Sequence, residues 1–194
     1  MPKFLNDSLI CPIHKKGDYE NPANFRPISL INTAVKIFEI AVLEKHKNDL
    51  LKAIPKEQYG FRPGLSALDQ VEVLMSTLSR CKRENGEAFL LFYDLQKAFD
   101  SARRDDLYKT MGKRSLPESL IRAIKVLNNC QAMKISNLMM PWVAMSKGVR
   151  QGSSLSSLLF NVFLTLLDIE KLERETNAKV RLYADDIAVI CPPA

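Results

Sequence analysis

Residues 180–190, VRLYADDIAVI, place two adjacent acids between two short apolar runs. The runs 180–184 and 187–191 have the length and the β-branched content typical of paired strands, so Asp185 and Asp186 fall where the chain turns. Asp94 likewise ends an apolar run, and residues 88–94 are interpreted as a buried strand. The pattern predicts a β-hairpin and a further strand that bring three carboxylates to strand ends.

Carboxylates at strand ends are costly when they lie close together. Two bare charges about 4 Å apart repel by roughly 4 kcal/mol at an effective dielectric constant near 20. A divalent cation reverses that sign, and oxygen ligands around two metals about 3.5–4 Å apart are used by polymerases and nucleases. The alternative is an ordinary turn, since Asp side chains often bond their own backbone there.

Composition and charge limit the class of protein. The chain has 194 residues, 46% of them hydrophobic, and a formal charge of +6, which favours a polyanionic partner. Its four cysteines lack a metal-ligand spacing and indicate a reducing compartment. The most apolar stretch, 155–167, is too short to span a bilayer. We therefore expect an intracellular protein that does not enter the membrane, in the nucleus or the cytoplasm, with its oligomeric state left open.

Periodicity and capping signals predict the secondary structure. A helix over 34–51 stops before Pro55, and a second helix opens at Ser66, where Asp69 completes a capping box, and closes at Gly86. Further helices are predicted at 103–112 and 117–128 and, as one buried helix, at 155–171; further strands are predicted at 9–13, 131–136 and 142–146. The order favours an α+β fold in which helices back an antiparallel sheet.

Two more segments carry chemistry. Residues 92–100, FYDLQKAFD, place an aromatic residue five positions after Asp94, which by itself also fits a core residue next to a turn. Residues 148–161, GVRQGSSLSSLLFN, contain two glycines that permit close backbone approach to a ligand, and the loop leads into a helix N-terminus. Free N–H groups at such an end favour phosphate, although loops of this kind are common.

Together these segments resemble the palm motifs of reverse transcriptases of non-LTR (LINE-type) retrotransposons, which are related to group II intron reverse transcriptases. IHKKGD at 13–18 and NFRPISL at 24–30 resemble the fingers, and QYGFRP at 58–63 resembles the next segment between fingers and palm. The resemblance implies a right-hand polymerase with fingers and fingers-to-palm segment at 1–87. It also implies a palm core at 88–194 that is incomplete after the YADD hairpin, with the thumb absent.

The resemblance assigns metal binding and catalysis to the three acids. Asp94 and Asp185 would hold two Mg²⁺ ions, for which Mn²⁺ is an alternative. One ion would lower the pKa of the primer 3′-hydroxyl, and the other would neutralise the triphosphate and the leaving pyrophosphate. Asp186 is similar to the family's second hairpin acid and would act as a catalytic supporting charge. The implied partners are an RNA template, a DNA primer and dNTPs.

The same resemblance places the incoming nucleotide. Phe99 would lie under the sugar as a steric gate against a 2′-hydroxyl, with plain core packing as the alternative. Gln151 would contact the sugar and base, and Gly152 would keep the backbone close.

Basic residues near the N-terminus are implied to clamp the triphosphate. Lys16 and Arg26 are the candidates, Arg26 through its bidentate guanidinium. Lys15 is a substitute for Lys16, and a solvated turn is the alternative for this lysine pair. Arg62 and Arg150 either meet template phosphates or brace loops, and the sequence leaves that choice open.

Residues 153–157, SSLSS, depart from the family's usual Cys-Pro-Leu-Ser-Pro. Two serines in place of prolines predict a less preorganised loop, by about 0.4–1 kcal/mol per site. This departure and the missing thumb keep a second hypothesis open, a catalytically inactive retrotransposon remnant with at most weak RNA binding. A viral RNA-dependent RNA polymerase is a third class, against which Phe99 and the YADD hairpin argue.

Overall fold

The computed structural model describes residue 5 and residues 7–128, 132–135 and 143–191. The strands are β1 Ser8–His14, β2 Phe25–Ile31, β3 Phe89–Asp94, β4 Ala132–Ile135, β5 Val143–Ala144, β6 Lys179–Tyr183 and β7 Asp186–Cys191. The helices are α1 Thr33–Ala53, α2 Ala67–Asn85, α3 Ala98–Ser101, α4 Arg104–Lys113, α5 Glu118–Asn128, α6 Ser156–Phe163 and α7 Ile169–Thr176, with 3₁₀ turns at Pro22–Asn24 and Leu164–Leu166. This mixture of helices and mainly antiparallel strands agrees with the predicted α+β class.

A three-stranded sheet carries the three acids. Its strand order is β3-β7-β6, and both pairings are antiparallel. The hairpin of β6 and β7 was predicted from the two apolar runs, and the structure confirms it. The register pairs Asp94 of β3 with Asp186 of β7, so two of the three predicted acids lie opposite each other.

A four-stranded sheet forms from the N-terminal hairpin and two short later strands. Its order is β2-β1-β4-β5, with β1 antiparallel to β2 and parallel to β4. The predicted strands 131–136 and 142–146 appear as β4 and as the two-residue β5, while Gln131, Ser136 and Trp142 lie outside the described residues. Met145 and Ser146 do not continue β5, because that strand pairs with β4 over only two residues.

Local capping signals set the helix ends. Helix α1 begins after Asn32, whose side chain accepts from the Ala34 amide, and it ends at Ala53, before Pro55. Helix α2 has the predicted capping box between Ser66 and Asp69, in which each side chain bonds the other residue's amide.

The prediction of one buried helix over 155–171 was wrong. Helix α6 ends at Phe163, a 3₁₀ turn follows, and a separate helix α7 begins at Ile169. The reason is Asp168, whose carboxylate accepts from the Lys171 amide and so caps a new helix. In the described part of the chain, no helix is both long and apolar enough to cross a membrane.

The prediction that residues 88–94 form a buried strand was half wrong. The strand exists as β3, but Phe89 is 56% exposed and Phe92 is 70% exposed. Strand β3 lies at the edge of its sheet, and among the described residues it pairs only with β7. An apolar run predicts a strand, but burial also requires a covering layer.

The core lies between the helices and the inner face of the three-stranded sheet. Its fully buried members come from α1, α4, α5, α6, β6 and β7, and include Val35, Leu50, Leu107, Met111, Leu120, Ile124, Phe160, Val162, Leu182 and Ile190. Each buried side chain of this size contributes about 1.5–3 kcal/mol relative to its exposed state. Residues of α6 and β6 thus belong to one hydrophobic core, which includes one face of the β6–β7 hairpin.

Candidate active site

The hairpin of β6 and β7 has a two-residue turn. Strand β6 ends at Tyr183, strand β7 begins at Asp186, and these two residues pair across the turn formed by Ala184 and Asp185. Ala184 has φ 55°, in the left-handed region that costs a non-glycine residue about 1–2 kcal/mol. The turn therefore depends on contacts that stabilise this conformation.

The three carboxylates share one electrostatic environment. Burial first, and then the charges of Asp185 and Asp94, raise the pKa of Asp186 above its ordinary value. A nearby like charge disfavours the ionised form of a carboxyl group. The structure thus brings the three predicted acids within electrostatic reach.

The acids fit a magnesium site, although not as a closed cage. Within the described residues, His, Cys, Asp and Glu side chains form no preassembled group of three or more ligands for a metal ion. Mg²⁺ does not need one, because it is usually bound by one or two carboxylates together with waters and substrate phosphates. The oxygen donors and the raised pKa of Asp186 agree with such a site.

A large open cavity brings most of the predicted nucleotide residues together. It has a volume of about 930 Å³ and is lined by Arg26, Phe99, Gln151, Gly152 and Asp185, among others. These five are predicted site residues that come from four separate segments of the chain. The cavity is therefore the candidate nucleotide pocket.

The two lysines of the N-terminal turn differ. Lys15 lines the cavity and Lys16 does not. Lys15 follows β1 directly, and its amide donates to the Asn24 carbonyl 2.8 Å away, which closes the β1–β2 hairpin. This placement favours Lys15, the predicted substitute, over Lys16 as the lysine of the pocket.

The remaining two acids face a second cavity. It has a volume of about 500 Å³, and its lining includes Asp94, Asp186, Phe92, Tyr183 and Arg181. The β6–β7 hairpin thus borders two cavities, with Asp185 on one, and with Asp186 and Asp94 of β3 on the other.

Phe99 packs on the core and also borders the large cavity. Its ring stacks on the buried Phe160, with centroids 4.6 Å apart and planes at 22°, and meets Phe61 edge-on at 6.3 Å. The ring also lines the large cavity. One surface of Phe99 is therefore packed on the core, and the ring is held rigidly where it borders the pocket.

Gly152 is required by the approach of β2. A Cβ at this position would lie 2.5 Å from the Ser29 carbonyl oxygen, and Gly152 has φ 127°. The Ser29 amide donates to the Gln151 carbonyl across 2.7 Å, and the Lys36 ammonium donates to the Gly152 carbonyl. Strand β2 and helix α1 thus hold the glycine loop against the pocket.

Gln151 is bonded to a residue that the sequence analysis did not single out. Its Nε2 donates to Asp100 Oδ1 at 3.0 Å, and both side chains line the cavity. The backbone reinforces this link, because the Val149 amide donates to the Phe99 carbonyl at 2.9 Å. The segment after β3 and the glycine loop therefore form one wall of the pocket.

The arginines left open by the sequence brace loops. Arg150 is 3% exposed, and its Nη2 donates to the Leu127 carbonyl at 3.0 Å. Arg62 donates to the Pro55 and Gln58 carbonyls within its own segment, at 3.4 Å each. Burial lowers the pKa of the Arg150 guanidinium, which agrees with an interior position.

The serine that replaces the first family proline has a partner. The Ser154 amide donates to Glu39 Oε2 at 3.0 Å, and Glu39, in α1, is only 2% exposed. Proline has no N–H and could not make this bond. The predicted loss of preorganisation is therefore offset at this position by a hydrogen bond to a buried carboxylate.

The matches to known proteins decide the family. The family model for reverse transcriptase (RNA-dependent DNA polymerase) matches residues 13–193. The chain belongs to the reverse transcriptase family. The resemblance to the enzymes of non-LTR retrotransposons is thereby confirmed, because the relatives described next are encoded by such elements.

The relatives are much longer proteins. The chain is 31% identical to the probable RNA-directed DNA polymerase from transposon BS of Drosophila melanogaster, over 97% of the chain and 22% of the relative. It is 30% identical to the RNA-directed DNA polymerase from mobile element jockey of the same species, over 97% of the chain and 21% of the relative. The chain thus spans about a fifth of the length of these relatives.

Solved structures share the fold at low sequence identity. The apo telomerase of Candida tropicalis truncated from its C-terminal domain matches with a TM-score of 0.68 and 17% identity, over 98% of this chain and 44% of that one. The telomerase of the same species in complex with the TWJ fragment of telomeric RNA matches with a TM-score of 0.71 and 14% identity, over 97% and 36%. These matches show that the fold is that of telomerase chains.

Two residues of this reverse transcriptase site lacked an assignment from sequence. Asp100 lies inside the quoted FYDLQKAFD segment, and its position next to the steric-gate candidate was the available signal. Glu39 lies among apolar residues of α1, and an acid within an apolar helix face indicates a buried partner. In neither case does the local pattern identify that partner.

Proposed function

We propose that this chain forms the fingers and core palm of an RNA-directed DNA polymerase, with residues 1–87 as fingers and fingers-to-palm segment and 88–194 as palm core. The reaction is the addition of dNTPs to a DNA primer 3′-hydroxyl on an RNA template. The observation that carries the proposal is the 930 Å³ cavity, which joins Asp185, Phe99, Gln151, Gly152 and Arg26 in a chain of the reverse transcriptase family.

Asp94 and Asp185 are the proposed magnesium ligands, with Mn²⁺ as a substitute. The bound ions would lower the pKa of the primer hydroxyl and neutralise negative charge on the triphosphate. Asp186 supplies a third negative charge next to these ligands. Burial, and then the charges of Asp185 and Asp94, raise the pKa of Asp186, which is consistent with three acids that form one anionic centre.

One wall of the cavity carries two basic residues. Arg26 and Lys15 lie at the connecting-loop end of the β1–β2 hairpin and line the same pocket as Asp185. A triphosphate is a polyanion, and Arg26 can bind two of its oxygens through one guanidinium. We assign the triphosphate to this wall, with Lys15 rather than Lys16 as the supporting lysine.

The sugar lies against Phe99 in this arrangement. The stack on Phe160 prevents the ring from moving aside, so a 2′-hydroxyl would meet a rigid wall. Because the Gln151 amide nitrogen is bonded to Asp100, the amide carbonyl oxygen is the group left to accept a hydrogen bond from the nucleotide. Gly152 lets the backbone approach the same ligand.

Single-nucleotide extension of a DNA primer on an RNA template tests the proposal. The chain is assayed with Mg²⁺ and with Mn²⁺, and Asp185→Asn is compared with Asp105→Asn, which makes the same chemical change on an exposed residue of α4. We expect dNTP incorporation that Asp185→Asn abolishes and that Asp105→Asn leaves intact.

Two outcomes of this assay would contradict the proposed polymerase function. Folded chain that incorporates no dNTP with either metal, or equal extension by wild type and Asp185→Asn, would overturn the proposal. A preference for rNTPs over dNTPs would assign the pocket to RNA synthesis instead.

A further inference from the structure

Gln58 is a fully buried polar residue next to the catalytic hairpin. Its side chain is 0% exposed and makes two hydrogen bonds to one residue, Ala184. Nε2 donates to the Ala184 carbonyl at 3.0 Å, and Oε1 accepts from the Ala184 amide at 2.9 Å. A single side chain thus satisfies both backbone polar groups of the first turn residue.

The segment around Gln58 continues the sheet. The Tyr59 amide donates to the Leu182 carbonyl, and the Leu182 amide donates to the Glu57 carbonyl, each at 3.0 Å. Gln58 itself pairs with Leu182 in the parallel sense. The backbone of this segment therefore pairs with β6 at Leu182, and the Gln58 side-chain amide adds two hydrogen bonds at the turn beyond the strand end.

Gly60 also packs closely against the backbone of Ala184. A Cβ at Gly60 would lie 2.3 Å from the Ala184 amide nitrogen, so only glycine allows this approach. The Gly60 amide donates to Gln58 Oε1 at 2.7 Å, and its carbonyl accepts from Asn161 Nδ2 of α6 at 2.8 Å. The glutamine is thereby held by its own segment as well as by the turn.

The turn needs such support. Ala184 has the left-handed φ described above, and the next residue is Asp185. A change in ψ of Ala184, which rotates the peptide group between Ala184 and Asp185, would change the direction of the Asp185 side chain unless φ of Asp185 compensated for it. Since Gln58 bonds the carbonyl of that peptide group, it restricts this rotation.

We propose that Gln58 is a positioning residue that locks the Ala184 backbone and so fixes the Asp185 carboxylate for metal binding. The inference rests on the proposed function, in which Asp185 is a metal ligand. It assigns a role to the QYGFRP segment, whose buried glutamine and glycine both contact the catalytic turn.

The test compares Gln58→Met and Gln58→Glu with Thr110→Val. Met keeps the length of the side chain and loses the amide, whereas Glu keeps an oxygen that accepts from the Ala184 and Gly60 amides. Thr110 is the matched control, since it is 3% exposed and its hydroxyl donates to the Asp106 carbonyl within α4, away from the hairpin.

The first readout is amide hydrogen exchange at Ala184, relative to Val189 of β7, measured by NMR. We expect Gln58→Met to speed exchange at Ala184 by about tenfold or more, because the hydrogen-bond acceptor is lost. Gln58→Glu should retain most of the protection, and Thr110→Val should leave the ratio unchanged. If Gln58→Met left the ratio of the exchange rates at Ala184 and Val189 unchanged, the proposal that Gln58 restrains the turn would be overturned.

The second readout is Mn²⁺ binding by titration calorimetry, with kcat and KM for dNTP wherever extension is measurable. We expect Gln58→Met to weaken Mn²⁺ binding about tenfold and to lower kcat more than it changes KM. A merely structural role would give Gln58→Met and Thr110→Val the same Mn²⁺ affinity, which would overturn the proposal. If wild type lacks polymerase activity, the proposed function fails, while exchange and Mn²⁺ binding still decide the role of Gln58.

Discussion

Gln151 and Asp100, 51 residues apart, are joined by a 3.0 Å hydrogen bond between Nε2 and Oδ1 in the wall of the candidate nucleotide pocket. This bond determines which end of the Gln151 side-chain amide faces the cavity. A carboxylate accepts only from the NH₂ end, so the carbonyl oxygen is turned toward the remaining partners. Under the proposed function, Asp100 would therefore act on the nucleotide through Gln151.

Asp100→Ala is expected to raise KM for dNTP about tenfold, because a hydrogen bond to a charged group is lost and Gln151 is free to rotate. Asp100→Asn keeps an acceptor oxygen and should stay within about threefold of wild type. Steady-state single-nucleotide extension measures both. Equal KM values in wild type and Asp100→Ala would show that the bond does not orient Gln151.

Ser154→Pro is expected to destabilise the protein, although proline is the family residue there. The change removes the amide bonded to Glu39, at a cost of about 1.5–3 kcal/mol, and recovers only about 0.4–1 kcal/mol of chain entropy. Urea unfolding should give a net loss of about 1–2 kcal/mol.

Two further substitutions separate the contribution of the Ser154 amide hydrogen bond from the effect of proline on chain entropy. Ser154→Ala keeps the N–H and should stay within about 0.5 kcal/mol of wild type. Ser157→Pro falls in the first turn of α6, where amides have no helical partner, and should stabilise by about 0.4–1 kcal/mol. A stabilising Ser154→Pro would show that the Glu39 bond contributes nothing.

Phe99→Val is expected to have two separate effects. Loss of the stack on Phe160 should lower the free energy of unfolding by about 2–4 kcal/mol. Loss of the steric gate should raise rNTP incorporation relative to dNTP about tenfold or more. Phe163→Val is the control, since Phe163 also stacks on Phe160 but does not line the cavity. An unchanged rNTP:dNTP ratio in Phe99→Val would leave Phe99 a core residue only.

The raised pKa of Asp186 predicts a pH-dependent stability. The native state binds this proton more tightly than the unfolded chain, so Asp186 stabilises the protein below its ordinary pKa of 3.8. That contribution is lost as the pH rises through the raised pKa. Asp186→Asn should therefore have a higher Tm than wild type at pH 7, with a difference that shrinks below pH 3.8.

Thermal melts of both proteins between about pH 3 and pH 8 measure this difference. Added Mg²⁺ should raise the Tm of wild type more than that of Asp186→Asn, because the cation relieves the repulsion that the substitution removes. A difference in Tm that is the same at every pH would contradict the electrostatic cause.

Local signals predicted the parts of this fold that depend on neighbouring residues. The capping box of Ser66 and Asp69 and the hairpin around Asp185 are set within a few residues, and both were predicted correctly. The break between α6 and α7 was also local, but the cap at Asp168 was hidden by the apolar run before it.

Contacts between distant residues could not be predicted in this way. Gln58 bonds Ala184 across 126 positions, and Ser154 bonds Glu39 across 115. Sequence patterns identified the motifs that carry Gln58, Ala184 and Ser154 and the helix that carries Glu39, but not which of these segments contact each other. The exposure of Phe92 was missed for a related reason, because burial is a property of the surrounding layers rather than of the strand.

The single pairing of β3 with β7 makes the site sensitive to insertions and deletions. Successive residues of a strand are about 3.4 Å apart and point to opposite faces. One residue added within 89–93 would turn Asp94 away from Asp186, even with every functional side chain still present. Substitutions at the exposed Phe89 leave that register unchanged. Along this strand, residue spacing is therefore constrained more tightly than residue identity.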